Sequence, residues 1–110
     1  MVINNLPNNL SIRQLPKILD HDRFSKNFIG MQEACHEIFD PETNKIWGFV
    51  SIDNTKRGPG LGGIRIAPNI TLNEVNRLAK TMTLKNSASC LPYGGGKAGL
   101  IVNDPTFYKY

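Results

Sequence analysis

The sequence has 110 residues, of which 40% are hydrophobic and 20% are charged, and its formal net charge is +4. A chain of this length has room for one domain with a modest core. It has no apolar run near the ~18 residues that a membrane span needs, so no membrane partner is expected. The first residues, MVINNLPNNL, lack a basic stretch followed by an apolar core. We therefore predict no secretory signal peptide and expect a cytoplasmic location.

The positive charge is concentrated in the second half of the chain. Seven basic residues and a single acid, Glu74, lie between Lys56 and Lys97. A cluster of this kind can bind nucleic acid or a small anion. The region has one aromatic residue, Tyr93, and its basic residues are mixed with glycines and apolar residues. That mixture favours a small anionic substrate, and no nucleic-acid partner is expected.

The two cysteines, Cys35 and Cys90, are far apart and belong to no Cys-x-x-Cys or Cys/His cluster. Metal ligation and a disulfide framework are therefore not expected. Two buried, reduced thiols are the interpretation that this spacing favours.

In chain order, residues 1–28 are predicted to form a helical or irregular segment, with a helix from about Ile12 to Leu19 that is disturbed at Pro16. The segments FIGMQEACHEIF and KIWGFVSID follow, both rich in β-branched and aromatic residues. They are separated by DPETN, whose first two residues are typical of a turn. This pattern predicts a β-hairpin.

GGIRIAP predicts a third short strand, with Arg65 on the face opposite to its neighbours. A helix from about Leu72 to Ser89 comes next. Thr71 and Glu74 have capping-box spacing, and Ile70 and Val75 have the spacing of a hydrophobic staple. The apolar stripe of this helix is predicted to include Val75, Leu78, Ala79 and Met82, with Arg77 and Lys80 on its far side. A last apolar strand is predicted in AGLIVND.

Two glycine-rich segments, GPGLGGIRI and PYGGGKAG, match the spacing G-x-G-x-x-G. A dinucleotide-binding loop needs such glycines between a strand and a helix, because the pyrophosphate sits on the helix N-terminus. Both segments are instead predicted to be loops that lead into strands. The glycines are better explained as positions where a small ligand approaches the backbone closely.

Two lysines lie beside these glycines. Lys85 borders the apolar stripe of the predicted helix and is expected to point towards the interior, although a solvated side chain near a helix end is an alternative. Lys97 lies between Gly96 and an apolar strand. It is either a functional amine or a solvated strand end.

Taken together, GPGLGGIRIAP, EVNRLAKTMTLKNSAS, LPYGGGKAG and NDP resemble the N-terminal domain of the glutamate/leucine/phenylalanine/valine dehydrogenases. The resemblance covers at least residues 29–105. It implies an α/β fold with a small mixed β-sheet and flanking helices over residues 29–110, incomplete at the C-terminal end. It also implies a homo-oligomer that carries out reversible oxidative deamination of an L-amino acid to a 2-oxo acid and ammonia.

The same resemblance implies roles for individual residues. Lys97 matches the catalytic lysine that assists imine formation and hydrolysis, and Lys85 matches the lysine that binds the substrate α-carboxylate. The backbone of Gly62, Gly94, Gly95 and Gly96 is expected to form part of the substrate cleft. NAD or NADP would be bound by a Rossmann domain that is absent from this sequence, so no cofactor-binding residue is expected here.

Two departures from the glutamate-specific pattern bear on the substrate. Leu61 occupies the position of a lysine that pairs with the side-chain carboxylate of glutamate, and Met82 stands where glutamine is common. Both residues are therefore candidate substrate-binding residues in an apolar pocket, which favours a branched-chain or aromatic amino acid over glutamate. The alternative to a dehydrogenase domain is a non-catalytic interaction module that pairs with another chain through the edge of its sheet.

Overall fold

The computed structural model describes residues 9–16 and 32–103. These residues form one mixed β-sheet of six strands and one helix. The strand order is β1-β2-β3-β6-β4, and β5 also pairs with β6. The predicted α/β fold with a mixed sheet is confirmed. The elements are β1 (Ser11–Leu15), β2 (Ala34–Phe39), β3 (Ile46–Asn54), β4 (Gly60–Leu61), β5 (Ile64–Ala67), α1 (Leu72–Ala88) and β6 (Gly94–Ile101).

The predicted β-hairpin is confirmed by the antiparallel pairing of β2 and β3. Asp40 organises the turn, because its carboxylate accepts hydrogen bonds from the Glu42 backbone N–H at 2.9 Å and from the Thr43 hydroxyl at 3.1 Å. The Asn44 N–H donates to the Asp40 carbonyl at 2.7 Å. Asn44 has a φ of 60°, which asparagine tolerates better than most residues do.

The helix predicted from Ile12 is wrong, because residues 11–15 form strand β1. β1 pairs antiparallel with β2, with Leu15 opposite Cys35, and the Arg13 guanidinium forms an ion pair with Glu37 directly across the ladder. The part of the predicted helix beyond Pro16 lies outside the described residues. β1 belongs to the sheet, although the sequence analysis assigned residues 1–28 to a separate helical or irregular segment.

β6 lies inside the sheet and has different partners on its two sides. It pairs antiparallel with β3 on one side and parallel with both β4 and β5 on the other. β4 lies beside Gly94 and Gly95, whereas β5 lies beside residues 98–101. Gly62 and Gly63 separate β4 from β5. The result is a break in this edge of the sheet next to Gly96 and Lys97.

Helix α1 begins as its sequence predicts. The Thr71 hydroxyl accepts a hydrogen bond from the Glu74 backbone N–H at 3.2 Å, which confirms Thr71 as the N-cap. Ile70 and Val75, the predicted staple pair, are both buried. Their Cγ2 atoms lie 2.7 and 2.8 Å from the position that a Cβ at Gly99 would occupy. The first turn of α1 therefore packs directly onto the backbone of β6.

A buried polar group links the middle of α1 to β3. The Asp53 carboxylate accepts a 2.7 Å hydrogen bond from the Thr83 hydroxyl. It also lies 3.7 Å from the Lys80 amine. Lys80 was expected on the far side of α1, so that expectation is wrong, because the buried carboxylate of Asp53 holds the amine against the sheet.

The face of the sheet opposite α1 is apolar and is not covered by any described helix. Ile64 and Ile12 are 63% and 59% exposed there. Ile52 and Val50 lie on the same face. No helix within residues 9–16 and 32–103 is long and apolar enough to cross a membrane.

The two cysteines have different surroundings, and neither forms a disulfide. Cys35 is buried in β2 and lies within 3.5 Å of the Pro16 carbonyl oxygen. Cys90 is exposed at the end of α1 with a φ of 58°. The expectation of two buried thiols is therefore wrong for Cys90, because the chain must turn sharply at this point and carries the side chain outwards.

Candidate functional site

The two glycine-rich segments are neighbouring strands. Gly60 and Leu61 of β4 pair in parallel with Gly94 and Gly95 of β6. These last two glycines were predicted to lie in a loop before a strand, which is wrong, because the strand itself begins at Gly94. Neither segment leads into a helix within the described residues. The two segments therefore do not fit the pyrophosphate of a dinucleotide.

The glycines allow backbone segments to pack without intervening side chains. A Cβ at Gly62 would overlap the Gly96 carbonyl oxygen, and it would lie 3.2 Å from Cγ of Met82 in α1. A Cβ at Gly95 would overlap Thr83 of the same helix. Substitution at either position would force β4, β6 and α1 apart.

A shallow cavity of about 180 Å³ lies at the break between β4 and β5. Lys97 is half-buried at this cavity. Its Nζ lies 3.5 Å from the position of a Cβ at Gly63, so the amine reaches the backbone at the break. Lys97 contributes the only charged group to a lining that is otherwise made of glycine and apolar residues: Val50, Ile52, Gly60, Gly62, Gly63, Ile64, Gly96 and Ala98.

Lys85 comes from the last turn of α1 and is exposed. The expectation that this side chain points inwards is wrong, because Lys85 is exposed. Lys85 follows half-buried Met82 by three residues, and positions three apart lie on the same side of a helix. Met82 contacts the position above Gly62. Lys85 therefore lies on the side of α1 that carries Met82, while Lys97 of β6 reaches the neighbouring Gly63.

Leu61 and Asn86 are joined by a hydrogen bond beside Gly62, outside the lining of the cavity. Leu61 is 41% exposed at the edge of the sheet. Its carbonyl oxygen accepts a 3.2 Å hydrogen bond from Nδ2 of Asn86, and the same nitrogen donates to the Gly94 carbonyl at 2.6 Å. Asn86 was missed by the sequence analysis. Its signal was present, because Asn86 follows Ala79 and Met82 at helical spacing and is a polar residue in an apolar stripe.

The arrangement has the chemistry of a site for an amphipathic anion. The Lys97 amine lies at the break beside glycine and apolar residues, and exposed Lys85 lies one helical turn from half-buried Met82. The described part of the chain has no group of three or more His, Cys, Asp or Glu residues that could hold a metal ion. A carboxylate near the amines, with an apolar group along the wall, would match both features.

The family described as "Glu/Leu/Phe/Val dehydrogenase, dimerisation domain" matches residues 33–109 of this chain. Among relatives, an NADP-specific glutamate dehydrogenase of Saccharolobus shibatae is 45% identical over 64 residues, which are 58% of this chain and 15% of that protein. An NAD-specific glutamate dehydrogenase of Peptoniphilus asaccharolyticus is 43% identical over 65 residues, again 58% of this chain and 15% of that protein. The match therefore spans less than a sixth of either relative.

A solved structure of an amino-acid dehydrogenase is also similar to this chain. The crystal structure of L-tryptophan dehydrogenase from Nostoc punctiforme superposes with a TM-score of 0.58 at 32% sequence identity. The superposition covers 66% of this chain and 22% of that one.

Proposed function

Because the chain belongs to the Glu/Leu/Phe/Val dehydrogenase family, we propose that it is the substrate-binding and oligomerisation domain of an amino-acid dehydrogenase. The reaction is the reversible oxidative deamination of an L-amino acid to a 2-oxo acid and ammonia. The relatives named above are dehydrogenases of amino acids, which supports this class of reaction.

The observation that carries the proposal is the amine of Lys97 at the break between β4 and β5. It lies at a cavity with apolar and glycine walls, where a polar reactant would be partly shielded from water. We assign Lys97 to catalysis, where its amine assists the water that attacks the oxidised substrate carbon. We assign Lys85 to the substrate α-carboxylate, because it offers an exposed ammonium group in the last turn of α1 at the position that the family resemblance implies for this role.

We propose an apolar side chain on the substrate. Glutamate would bring its side-chain carboxylate to a wall formed by Leu61 and Met82, which offers no cation. An unpaired carboxylate against an apolar wall is unfavourable wherever the bound substrate excludes water from it. Leucine, valine, phenylalanine and tryptophan are the first candidates.

The hydride acceptor is a nicotinamide cofactor, NAD or NADP, since relatives specific for each are similar to this chain. The described residues offer it no binding site, as the two glycine segments form strands rather than a strand-to-helix loop. The cofactor therefore binds to a part of the enzyme outside these residues.

We propose that the domain also joins subunits into a homo-oligomer. The family is described as a dimerisation domain. Strands β1 to β3 are the surface that we assign to this contact, since β1 is an edge strand and the adjoining face carries exposed Ile12. The cytoplasmic location expected from the sequence stays a prediction.

A steady-state assay tests the proposed function. The native protein is incubated with NAD or NADP and each of leucine, valine, phenylalanine, tryptophan and glutamate, and NADH or NADPH formation is followed. We expect turnover with at least one apolar amino acid and poor turnover with glutamate. Lys85→Ala should raise the KM for the amino acid at least tenfold, because a charge-assisted bond worth about 1.5–3 kcal/mol is lost. Absence of turnover with all five would refute the proposal.

Lys45→Ala serves as the matched control for the lysine variants. Lys45 is an exposed lysine next to the hairpin turn, with its amine 4.4 Å from the centroid of the Trp47 ring. It contributes nothing to the cavity. Its removal should leave the KM and kcat of the native protein unchanged, so an equal effect of Lys45→Ala and Lys85→Ala would contradict the assigned role of Lys85.

A further inference from the structure

We propose that Asn86 is a positioning residue of the substrate site, which sets the distance between the wall at Leu61 and the carboxylate-binding amine of Lys85. The inference rests on the proposed function, because it assigns Asn86 to the same site.

The contacts of Asn86 reach two different strands from one helix. Its side chain sits in the last two turns of α1 and the residue is 3% exposed. Nδ2 donates to the Leu61 carbonyl of β4 at 3.2 Å and to the Gly94 carbonyl of β6 at 2.6 Å. An asparagine amide nitrogen carries two hydrogens, so both are used.

The orientation of this amide follows from its surroundings. Turning the side chain over would place Oδ1 against the carbonyl oxygens of Leu61 and Gly94, where no donor could satisfy it. Burying acceptors against each other without a donor is unfavourable, so the nitrogen must face the two strands. The Asn86 amide therefore donates two hydrogen bonds, and its flipped orientation could not replace them.

β4 depends on this link more than an ordinary strand would. It has only two residues, and its ladder with β6 joins Gly60 to Gly94 and Leu61 to Gly95. Three of the four residues in this ladder are glycines, so it has no cross-strand contact between two side chains. A strand this short gains little stability from its own ladder, so one added hydrogen bond at Leu61 is a large share of what holds it.

The link also fixes the helix turn that carries Lys85. Lys85 directly precedes Asn86, so the anchor and the amine belong to the same turn of α1. When Asn86 is bonded, the backbone of Leu61 and the backbone of Lys85 are tied through one side chain. Removing that tie lets the wall move relative to the amine. Binding and discrimination by side-chain size would then change, while the step assisted by Lys97 would be largely kept.

Three variants of the native protein test this inference in the amino-acid dehydrogenase assay. Asn86→Leu keeps the volume and removes both donors, and Asn86→Asp keeps the shape and replaces the donors with acceptors. Asn76→Leu is the matched control, because Asn76 is another buried asparagine of α1. It lies ten residues earlier, about 15 Å along the helix at ~1.5 Å per residue, and therefore away from the turn that carries Lys85.

We expect Asn86→Leu to raise the KM for the preferred amino acid about tenfold, equivalent to ~1.4 kcal/mol, with kcat changed by less than about threefold. Asn86→Asp should raise the KM at least as much. The ratio of kcat/KM values for leucine and phenylalanine should also move towards unity. Asn76→Leu should keep both the wild-type KM and that ratio, even if it lowers the melting temperature.

The inference is overturned if Asn86→Leu keeps the wild-type KM and size discrimination, or changes them no more than Asn76→Leu does. A wild-type protein without any amino-acid oxidation would instead overturn the proposed function. In that case the hydrogen bond between Asn86 and Leu61 can still be tested by hydrogen exchange followed by mass spectrometry. Asn86→Leu should speed exchange in residues 58–63, and unchanged exchange there would refute the link between Asn86 and β4.

Discussion

Replacement of Gly62 by alanine tests the geometry of the break. A Cβ at this position would overlap the Gly96 carbonyl oxygen, which is backbone and cannot rotate away. β4 must therefore move off β6 or α1 must tilt, since Cγ of Met82 would also lie only 3.2 Å from the new Cβ. We expect Gly62→Ala to destabilise the protein strongly.

The size of the effect can be worked out from two hydrogen bonds that flank Gly62. They join Asn86 to the Leu61 carbonyl and the Ala98 N–H to the Gly63 carbonyl, each at 3.2 Å. Losing both costs about 2 kcal/mol at ~1 kcal/mol each, and overpacking adds ~1–3 kcal/mol. The total of about 3–5 kcal/mol lowers the melting temperature by roughly 12 °C or more, at ~4 °C per kcal/mol.

Gly63→Ala is the matched control for this measurement. The nearest atom to a Cβ at Gly63, beyond its chain neighbours, is Nζ of Lys97 at 3.5 Å, an ordinary van der Waals distance. Its unfolding free energy should change by less than about 1 kcal/mol. Thermal unfolding of both variants, followed by far-UV circular dichroism, compares the two. A Gly62→Ala protein as stable as wild type, or a Gly63→Ala protein equally destabilised, would refute the packing described at the break.

Changes at three other positions have defined outcomes. Leu61→Lys should raise kcat/KM for glutamate relative to leucine by about tenfold or more, as the new cation pairs with the side-chain carboxylate; an unchanged ratio in the activity assay would contradict the assigned wall. Thr83→Val should lower the free energy of unfolding by about 1.5–3 kcal/mol in guanidinium titrations, because buried Asp53 loses its 2.7 Å hydrogen bond; a loss below ~0.5 kcal/mol would contradict this. A thiol reagent should label exposed Cys90 in the native protein and reach buried Cys35 only after unfolding, and equal labelling rates would count against the described burial.

Features fixed by neighbouring residues were predictable from the sequence. The start of α1 follows from Thr71 accepting the Glu74 N–H, a contact across three residues. The turn of the hairpin likewise follows from Asp40 and its next few neighbours. In both cases the energy that selects the conformation comes from within one short segment, so the local pattern was sufficient.

Features fixed by distant partners were not predictable. β1 is a strand because it pairs with β2, and Leu15 and Cys35 are twenty residues apart in the sequence. The strand at Gly94 was missed for a related reason. Glycines have low intrinsic strand propensity, and here they are held by β3, β4 and α1, all of which are packed against the glycine backbone.

The candidate site was predicted in part. The family resemblance selected Lys97 and Lys85 as functional residues; the structure places the Lys97 amine near Gly63 and leaves Lys85 exposed in the last turn of α1. It did not indicate the break between β4 and β5, because that gap depends on the register of both strands against β6. Asn86 was overlooked because a polar residue in an apolar stripe has a clear meaning only when its partners on other strands are known.

The kcat of a Lys97→Ala variant of the native protein tests the central claim most directly. The assay uses the preferred amino acid at saturating concentration, with Lys45→Ala as the control and circular dichroism as the check on folding. A catalytic amine predicts a fall in kcat of at least about 100-fold, with an unchanged spectrum. A folded Lys97→Ala protein with a kcat close to that of Lys45→Ala would contradict the assignment of the break as the catalytic site.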